Sequence, residues 1–270
     1  MSDAAVTSTA GGQPPPVRFV EHGAVAQVIL SRPAKRNAVS PEMARLLEAA
    51  LDRLESTPRF RVGILSADGD AAFCAGADLG YVARGDGAQL STARGGFAGF
   101  VRYPRRKPII AAVHGYALAG GFEIALACDL LVAERTAEFG LPEVTRGLIA
   151  NGGGILRLAT VLPRARALDL ILTGRRLSAT EADQLGLVSR LVDAGQAVSE
   201  AFALATAIAG NAPAAVRESL FLANAAAYAP SAETWELCAE IAQRLRTAGD
   251  AIEGATAFLD RRDASWTDHQ

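Results

Sequence analysis

The stretch HGYALAGGFEIALACDLL, residues 114–131, decides the fold because it joins a strand to a helix through a glycine-rich turn. It lies inside the most apolar part of the chain, residues 109–133, which is long enough to raise the question of a membrane span. A histidine and two acids interrupt this run, and charged groups at mid-span are costly in lipid. We therefore predict a buried strand at 108–113 and a buried helix at 121–128 within a globular core.

Two glycine-rich loops are candidate binding elements: this turn, and the segment FCAGADL at residues 73–79. Small residues let a ligand approach the backbone closely. Gly120 and Gly121 stand at the start of the helix, where free N–H groups and the helix dipole favour developing negative charge. If the Ala75 N–H points at the same place, two amides form an oxyanion hole. The alternative is that both loops are tight turns that need glycine.

Two glutamates are candidate acid–base groups. Glu123 lies in an otherwise apolar helix, and Glu143 follows in the segment GLPEV at residues 140–144. Two carboxyl groups near one oxyanion site can share a water, one taking its proton and the other delivering a proton. Crowding and burial would raise the pKa of at least one of them. The alternative is that Glu123 is a helix-terminus acid and Glu143 a solvated loop acid.

The rest of the chain alternates strands with helices and then becomes helical, which predicts an α/β body followed by a helical C-terminal subdomain. We expect a mobile tail at residues 1–16, the body at 17–195 and the helical subdomain at 196–270. The predicted strands are 17–20, 24–30, 61–67, 108–113 and 187–192, with extended segments at 129–133 and 137–140. The predicted helices are one opened by the N-cap Ser40 and Pro41, then 87–103, 121–128, 152–161, 163–172, 178–185, 196–210, 213–227, 231–247 and 250–260.

Composition excludes several classes of protein. Half of the 270 residues are apolar, which is enough to build a sizeable core. The net charge of −2 provides no basic excess to bind nucleic-acid phosphates. The cysteines, Cys74, Cys128 and Cys238, are widely spaced without a CxxC pair, which argues against a disulfide framework or a zinc site. With no secretory signal at the N-terminus, we expect a cytoplasmic protein that neither enters nor spans a membrane.

Four segments taken together closely resemble the crotonase (enoyl-CoA hydratase/isomerase) superfamily: FCAGADL, GYALAGGFEIALACDL, FGLPEV and GLIANGGGILRL. The resemblance runs from about Val17 to Trp266. It implies a ββα spiral body with a C-terminal helical trimerisation region, self-association as a homotrimer or hexamer, and an acyl-CoA thioester substrate. It also implies a hydro-lyase that adds water to a 2-enoyl-CoA. No metal is implied, because the oxyanion hole does the work of a Lewis acid, and no separate cofactor is implied, because CoA is part of the substrate.

The resemblance also implies roles for individual residues. Ala75 and Gly120 would donate the two N–H groups to the thioester oxygen, Glu123 would orient and activate the water, and Glu143 would protonate Cα. The residues expected to contact the CoA part or the substrate are Lys35, Arg36, Gly76, Ala77, Asp78 and Asn151.

Asn151 departs from the family pattern, since many hydratases have glycine there. Its side chain would select a substrate with a functional group near Cβ, as in carnitinyl-CoA dehydratase-like relatives, or it would only supply a left-handed turn. Other reactions of the superfamily also stay open, namely double-bond isomerisation, dehydration and hydrolysis. Isomerases often keep only one of the two acids, so the pair favours water chemistry. A non-catalytic or RNA-binding protein is the remaining alternative, with a basic patch at Arg102, Arg105, Arg106 and Lys107.

Overall fold

A computed structural model describes residues 14–146 and 148–226, together with 253, 257, 260–262, 264, 265 and 267. The strands in these residues are β1 (Val17–His22), β2 (Val25–Leu30), β3 (Val62–Ala67), β4 (Ser91–Thr92), β5 (Gly96–Phe97), β6 (Ile109–Val113), β7 (Tyr116–Leu118), β8 (Leu130–Glu134), β9 (Glu138–Gly140), β10 (Leu177–Ser178) and β11 (Arg190–Val192). The helices are α1 (Pro41–Ser56), α2 (Leu79–Ala83), α3 (Gly120–Leu126), α4 (Gly154–Val161), α5 (Arg164–Thr173), α6 (Ala179–Gln184), α7 (Ala197–Ala209) and α8 (Pro213–Ala226). Short 3-10 helices cover Pro33–Lys35, Gly87–Leu90 and Pro142–Arg146.

The strands form two sheets that meet near the glycine-rich turn, and a separate β4–β5 hairpin. The larger sheet has the order β1-β2-β3-β6-β8-β11; its first pair is antiparallel and the others are parallel. The smaller sheet has the order β10-β9-β7, in which β7 and β9 run parallel. Parallel strands with helical crossovers confirm the predicted α/β class.

The larger sheet is buried on both faces, as expected for parallel strands. Along β3, Ile64 belongs to the hydrophobic cluster that includes α7, whereas Leu65 belongs to the main core on the other side. This alternation follows from the two-residue period of a strand. Helix α7 presents a stripe of buried alanines at four-residue spacing to the sheet, Ala197, Ala201, Ala205 and Ala209. Small side chains there let the helix lie close to the strands.

Helix α1 begins as the sequence predicts. The Ser40 hydroxyl accepts a hydrogen bond from the Met43 N–H at 3.2 Å, and Pro41 stands in the first turn. The buried face of α1 packs into the main core through residues at helical spacing, Met43, Leu47, Leu51 and Leu54. The strand at 108–113 and the helix at 121–128 are confirmed as β6 and α3 within one residue or two at each end.

The predicted helix at 87–103 is wrong. A 3-10 turn, the β4–β5 hairpin and further turns occupy this segment. Gly99 has φ +65° and lies so close to α1 that a Cβ would stand 2.2 Å from the Ala44 carbonyl oxygen. The Glu48 carboxylate accepts from the Gly95 N–H at 2.9 Å and ties the hairpin to α1. Contacts with α1 therefore override the local helical pattern.

The predicted domain division is only partly covered by the described residues. Of the tail at 1–16, residues 14–16 are described, and the Pro16 carbonyl accepts from the Ser31 N–H at 2.9 Å. The helix predicted at 231–247 lies outside the described residues, as does most of 250–260. Because α7 packs directly on the larger sheet, the start of the predicted C-terminal subdomain shares a core with the body. The division itself stays a prediction. No helix in the described part of the chain combines the length and apolar character that a bilayer crossing requires.

We expect Ala205→Leu to destabilise the protein by about 1–3 kcal/mol, because Ala205 is fully buried between α7 and the sheet and the larger side chain overpacks that contact. Ala207 on the same helix is exposed, so Ala207→Leu should change stability by less than about 0.5 kcal/mol. Urea denaturation at one fixed protein concentration measures both. Equal losses in the two variants would contradict the packing of α7 on the sheet.

Candidate functional site

The site lies where three loops converge at the start of α3. The chain leaves β6, turns through Gly115, forms β7 and enters α3. The loop after β3 runs alongside β7, since the Cys74 N–H donates to the Tyr116 carbonyl at 3.1 Å and the Leu118 N–H donates to the Cys74 carbonyl at 3.0 Å. The β7–β9 pairing sets Leu118 opposite Gly140, which brings the segment carrying Glu143 to the same place.

A cavity of about 700 Å³ opens at this convergence. Eight of the ten residues singled out from the sequence line it: Lys35, Ala75, Ala77, Asp78, Gly120, Glu123, Glu143 and Asn151. Its remaining walls are mostly apolar and include Leu79, Val82, Leu90, Phe97, Leu118, Leu148 and Ile149. An apolar cavity with a few convergent polar groups is the usual form of a small-molecule site.

One expected oxyanion donor is wrong. The Ala75 N–H already donates to the Arg36 carbonyl at 3.0 Å, so it cannot serve the cavity. The Ala77 N–H, two residues on, has no hydrogen-bond acceptor among the described residues, and neither does the Gly120 N–H at the start of α3. Both residues line the cavity. The pair of amides that can meet a ligand oxygen there is therefore Ala77 and Gly120.

Gly76 does not line the cavity, but it brings these two amides together. With φ +93° it occupies a conformation that favours glycine. A Cβ on Gly76 would stand 3.0 Å from the Gly120 nitrogen and 3.1 Å from the Leu118 carbonyl oxygen. Gly121 is equally constrained, because its Cβ would stand 2.0 Å from the Cys74 carbonyl oxygen. Glycine is required at both positions for the loop after β3 to lie against the start of α3.

Glu123 is 3% exposed, and its carboxylate lies beneath a glycine turn, residues 152–154. The Gly154 N–H donates to Glu123 Oε1 at 2.9 Å, and the Gly152 N–H also bonds to the carboxylate. Burial raises the pKa of Glu123, while these two N–H groups and the charge of Arg157 partly oppose the increase. A carboxyl group with a raised pKa, facing a cavity, is suited to proton transfer near neutral pH.

Glu143 lies in the 3-10 helix Pro142–Arg146, directly after β9. It is half-buried and lines the same cavity as Glu123. The two acids come together because the Ala119 N–H donates to the Gly140 carbonyl at 2.8 Å, so the end of β9 is joined to the residue before α3.

The three predicted CoA-contacting side chains with charge differ in their surroundings. Lys35 is exposed and lines the cavity. Asp78 also lines it, but its carboxylate pairs with Arg32 at 3.1 Å and caps α2 by accepting from the Gly80 N–H at 3.1 Å. Arg36 is exposed and lies outside the cavity lining. Contact of these residues with CoA stays a prediction.

The left-handed alternative for Asn151 is wrong. Asn151 is absent from the residues with positive φ, and Gly153 supplies that conformation with φ +96°. Asn151 is exposed and lines the cavity. A polar side chain is therefore available to a ligand at this position.

The basic patch considered for RNA is largely engaged within the protein. Arg105 is bonded to Asp129, Arg106 to Glu218, and the Lys107 ammonium donates to the carbonyls of Leu54 and Thr57 at 2.8 Å. Cys74, beside the site, donates to the Asn37 carbonyl, and burial raises the pKa of its thiol to about 12. This thiol is not a nucleophile at neutral pH.

Two further contributors to the site lie in segments 87–100 and 152–154; the first segment is expected from the sequence to border the acyl pocket, and the second is not assigned a contact with Glu123. Phe97 packs against the start of α3, since a Cβ on Gly120 would stand 2.4 Å from its ring. The glycine-rich segment that contains Phe97 was predicted to be a helix, so its contact with α3 could not be anticipated. The sequence predicts that a helix begins at residue 152, whereas α4 begins at Gly154 and the glycine turn before it was not foreseen as a donor to Glu123.

The chain is similar over nearly its whole length to known hydratases and dehydratases that act on CoA thioesters. The sequence model of the family described as "Enoyl-CoA hydratase/isomerase" matches residues 21–269. A carnitinyl-CoA dehydratase of Proteus mirabilis (strain HI4320) is 36% identical over 255 residues, covering 93% of this chain and 97% of the relative. A solved enoyl-CoA hydratase from Mycobacterium tuberculosis H37Rv has a TM-score of 0.89 and 42% identity, covering 95% of this chain and 100% of that chain. A carnitinyl-CoA hydratase from Mycobacterium avium has a TM-score of 0.77 and 38% identity, with the same coverage. These superpositions confirm the predicted fold class.

We expect Ala119→Gly to stabilise the protein by about 1 kcal/mol. Ala119 has φ 51° and ψ −129°, a conformation that strains an alanine but not a glycine. The relief of this strain exceeds the stability lost because glycine gives the unfolded chain more conformational entropy. Ala117→Gly is the control, because Ala117 is buried in β7 without a positive φ and should lose about 1 kcal/mol. Thermal unfolding measures both, and a loss of stability in Ala119→Gly would contradict the backbone geometry at the start of α3.

Proposed function

The chain belongs to the enoyl-CoA hydratase/isomerase family, and on that basis we propose that it is an enoyl-CoA hydratase. The reaction is the reversible addition of water across the 2,3 double bond of a 2-enoyl-CoA. The observation that carries the proposal is that Glu123 and Glu143 line one cavity together with the Ala77 and Gly120 amides. Two acids favour water chemistry over double-bond isomerisation, for which one acid is sufficient.

In this proposal the thioester carbonyl oxygen accepts hydrogen bonds from the Ala77 and Gly120 N–H groups. When water attacks Cβ, negative charge develops on that oxygen as the enolate forms. Gly120 is the first residue of α3, so the positive end of the helix dipole also faces this charge. Each preorganised amide of this kind lowers the barrier by about 3–4 kcal/mol.

Glu123 and Glu143 divide the proton transfers. Ionised Glu123 takes a proton from the water as its oxygen bonds to Cβ, and protonated Glu143 delivers a proton to Cα. Hydroxyl and hydrogen are thereby added to the double bond. One proton then passes between the two carboxyl groups to restore the starting state. The reverse sequence eliminates water from a 3-hydroxyacyl-CoA, so the same groups catalyse both directions.

We expect Glu123→Gln and Glu143→Gln each to lower kcat for crotonyl-CoA hydration by about 10²- to 10⁴-fold. The glutamine side chain cannot exchange a proton, so each variant loses one proton-transfer step. The loss of conjugated-thioester absorbance measures the rate. Glu42→Gln is the control, since Glu42 is exposed in the first turn of α1 and outside the cavity lining. Near-wild-type kcat in both site variants would refute the two-acid mechanism.

Dehydration of carnitinyl-CoA is a second candidate function, and Asn151 favours it. Relatives that are 36% and 38% identical to this chain carry carnitinyl-CoA names. A carnitinyl group differs from a 3-hydroxybutyryl group by a trimethylammonium substituent on Cγ, the carbon next to Cβ. The amide oxygen of Asn151, at the cavity wall, is a suitable dipole to face such a cation. The acid pair and the two amides would act as described above.

We expect Asn151→Ala to lower the ratio of kcat/KM for carnitinyl-CoA to that for 3-hydroxybutyryl-CoA by about tenfold, the effect of losing one polar contact of about 1.4 kcal/mol. Alanine is suitable because Asn151 has no positive φ. Asn151→Gly introduces the residue that is common in hydratases at this position, and it should lower the ratio to a similar extent. An unchanged ratio would refute a selective role for Asn151, and a wild-type protein inactive on carnitinyl-CoA would refute the second candidate.

A further inference from the structure

Arg157 packs against the glycine turn, residues 152–154, whose N–H groups bond to Glu123. It lies in the first turn of α4, and its guanidinium donates through Nη1 to the Gly152 carbonyl at 3.2 Å. A Cβ on Gly153 would stand 2.3 Å from the same nitrogen, so the guanidinium packs directly against the turn. The side chain of Arg157 therefore fixes the backbone whose N–H groups bond to Glu123.

The same guanidinium reaches a second part of the site. Its Nη2 donates to the carbonyl of Val101, which is buried. Val101 closes the turn that begins at Phe97, since the Val101 N–H donates to the Phe97 carbonyl at 3.3 Å. Phe97 lines the cavity and packs on Gly120. One cation thus joins the segment that holds the acid to the segment that forms the apolar wall beside the amides.

We propose that Arg157 is a positioning residue, which holds the glycine turn and the Phe97 turn in register so that the Glu123 carboxylate faces the reacting water. The inference rests on the proposed hydratase function for its kinetic consequences. Arg157 does not line the cavity, so it acts through the backbone and through its charge.

The charge of Arg157 adds a measurable consequence. It opposes the effect of burial on the pKa of Glu123, so its removal raises that pKa further. The other titratable side chains that line the same cavity as Glu123 are Lys35, Asp78 and Glu143. None of these is altered by substitution at Arg157. Since ionised Glu123 is the base, loss of the cation moves the acidic limb of the kcat/KM profile to higher pH.

The test compares Arg157→Met and Arg157→Lys with the control Arg164→Met. Arg164 is a suitable control because it is exposed at the start of α5. Arg157→Met should lower kcat for crotonyl-CoA hydration by about 10- to 100-fold with little change in KM, because misplacement of a reacting group costs that much. Its acidic limb should move to higher pH. Arg157→Lys keeps the charge but cannot bridge the carbonyls of Gly152 and Val101. The acidic limb of its kcat/KM profile should therefore stay near that of the wild type, while its kcat falls.

A second measurement separates this inference from the proposed function. Difference infrared spectroscopy follows protonation of Glu123, with the Glu123→Gln variant as the blank. A higher midpoint in Arg157→Met than in the wild type supports the role of Arg157, even if no enoyl-CoA is hydrated and the proposed function fails. An unmoved midpoint, or a kcat equal to that of Arg164→Met, overturns the inference. If Arg157→Met does not fold, an unchanged kcat in Arg157→Lys overturns it.

Discussion

The buried carboxylate of Glu123 is the constraint on which the arrangement of the site depends. Glu123 is buried, and a buried carboxylate is stable only where hydrogen-bond donors replace its lost water. Here the donors are backbone N–H groups of the glycine turn, and that turn requires glycine because a Cβ on Gly152 or Gly154 would come within 3 Å of the Glu123 side chain. The cost of burial is not fully offset, which leaves the pKa raised. Partial compensation is what allows a carboxyl group to exchange a proton near neutral pH.

The two amides of the proposed oxyanion hole follow from a second constraint, the close approach of two backbone segments. The loop after β3 can lie against the start of α3 only because Gly76 and Gly121 carry no side chain. Since the proposed binding groups are main-chain N–H groups, the sequence marks their position by small residues and not by polar side chains. The fold supplies the rest. Pairing of β7 with β9 delivers Glu143 to the same point, so the amides and both acids are arranged by strand register.

Residue patterns could predict the local elements that have strong, self-contained signals. The β6–turn–α3 unit and the Ser40 cap depend on neighbours in sequence, and both are confirmed. The choice of Ala75 over Ala77 was wrong because Gly76, with φ +93°, changes the backbone direction between them. The Ala75 N–H meets the Arg36 carbonyl, whereas the pairing with Val39 uses the Gly76 carbonyl and the Asp78 N–H and leaves the Ala77 N–H free of it. The helix at 87–103 was wrong because contacts with α1 decide its path. The part played by Arg157 depends on contacts with Gly152 and Val101, and the latter is remote in sequence.

The names of the relatives, hydratase in some and dehydratase in others, are compatible with one site. Addition and elimination of water pass through the same enolate, so the amides and acids that serve one direction serve the other. What can differ between substrates is the environment beyond Cβ. In this chain the cavity wall is mostly apolar, with Leu90, Phe97 and Leu148 among its residues, and Asn151 is one of its polar side chains. In the proposed function, chemistry and selectivity are therefore carried by different residues: the start of α3 and the segment after β9 would govern the first, and the wall near Asn151 would govern the second. Substitutions in that wall would then change the preferred acyl group without disturbing the proton transfers, whereas a change in the glycine turn that bonds to Glu123 would affect every substrate.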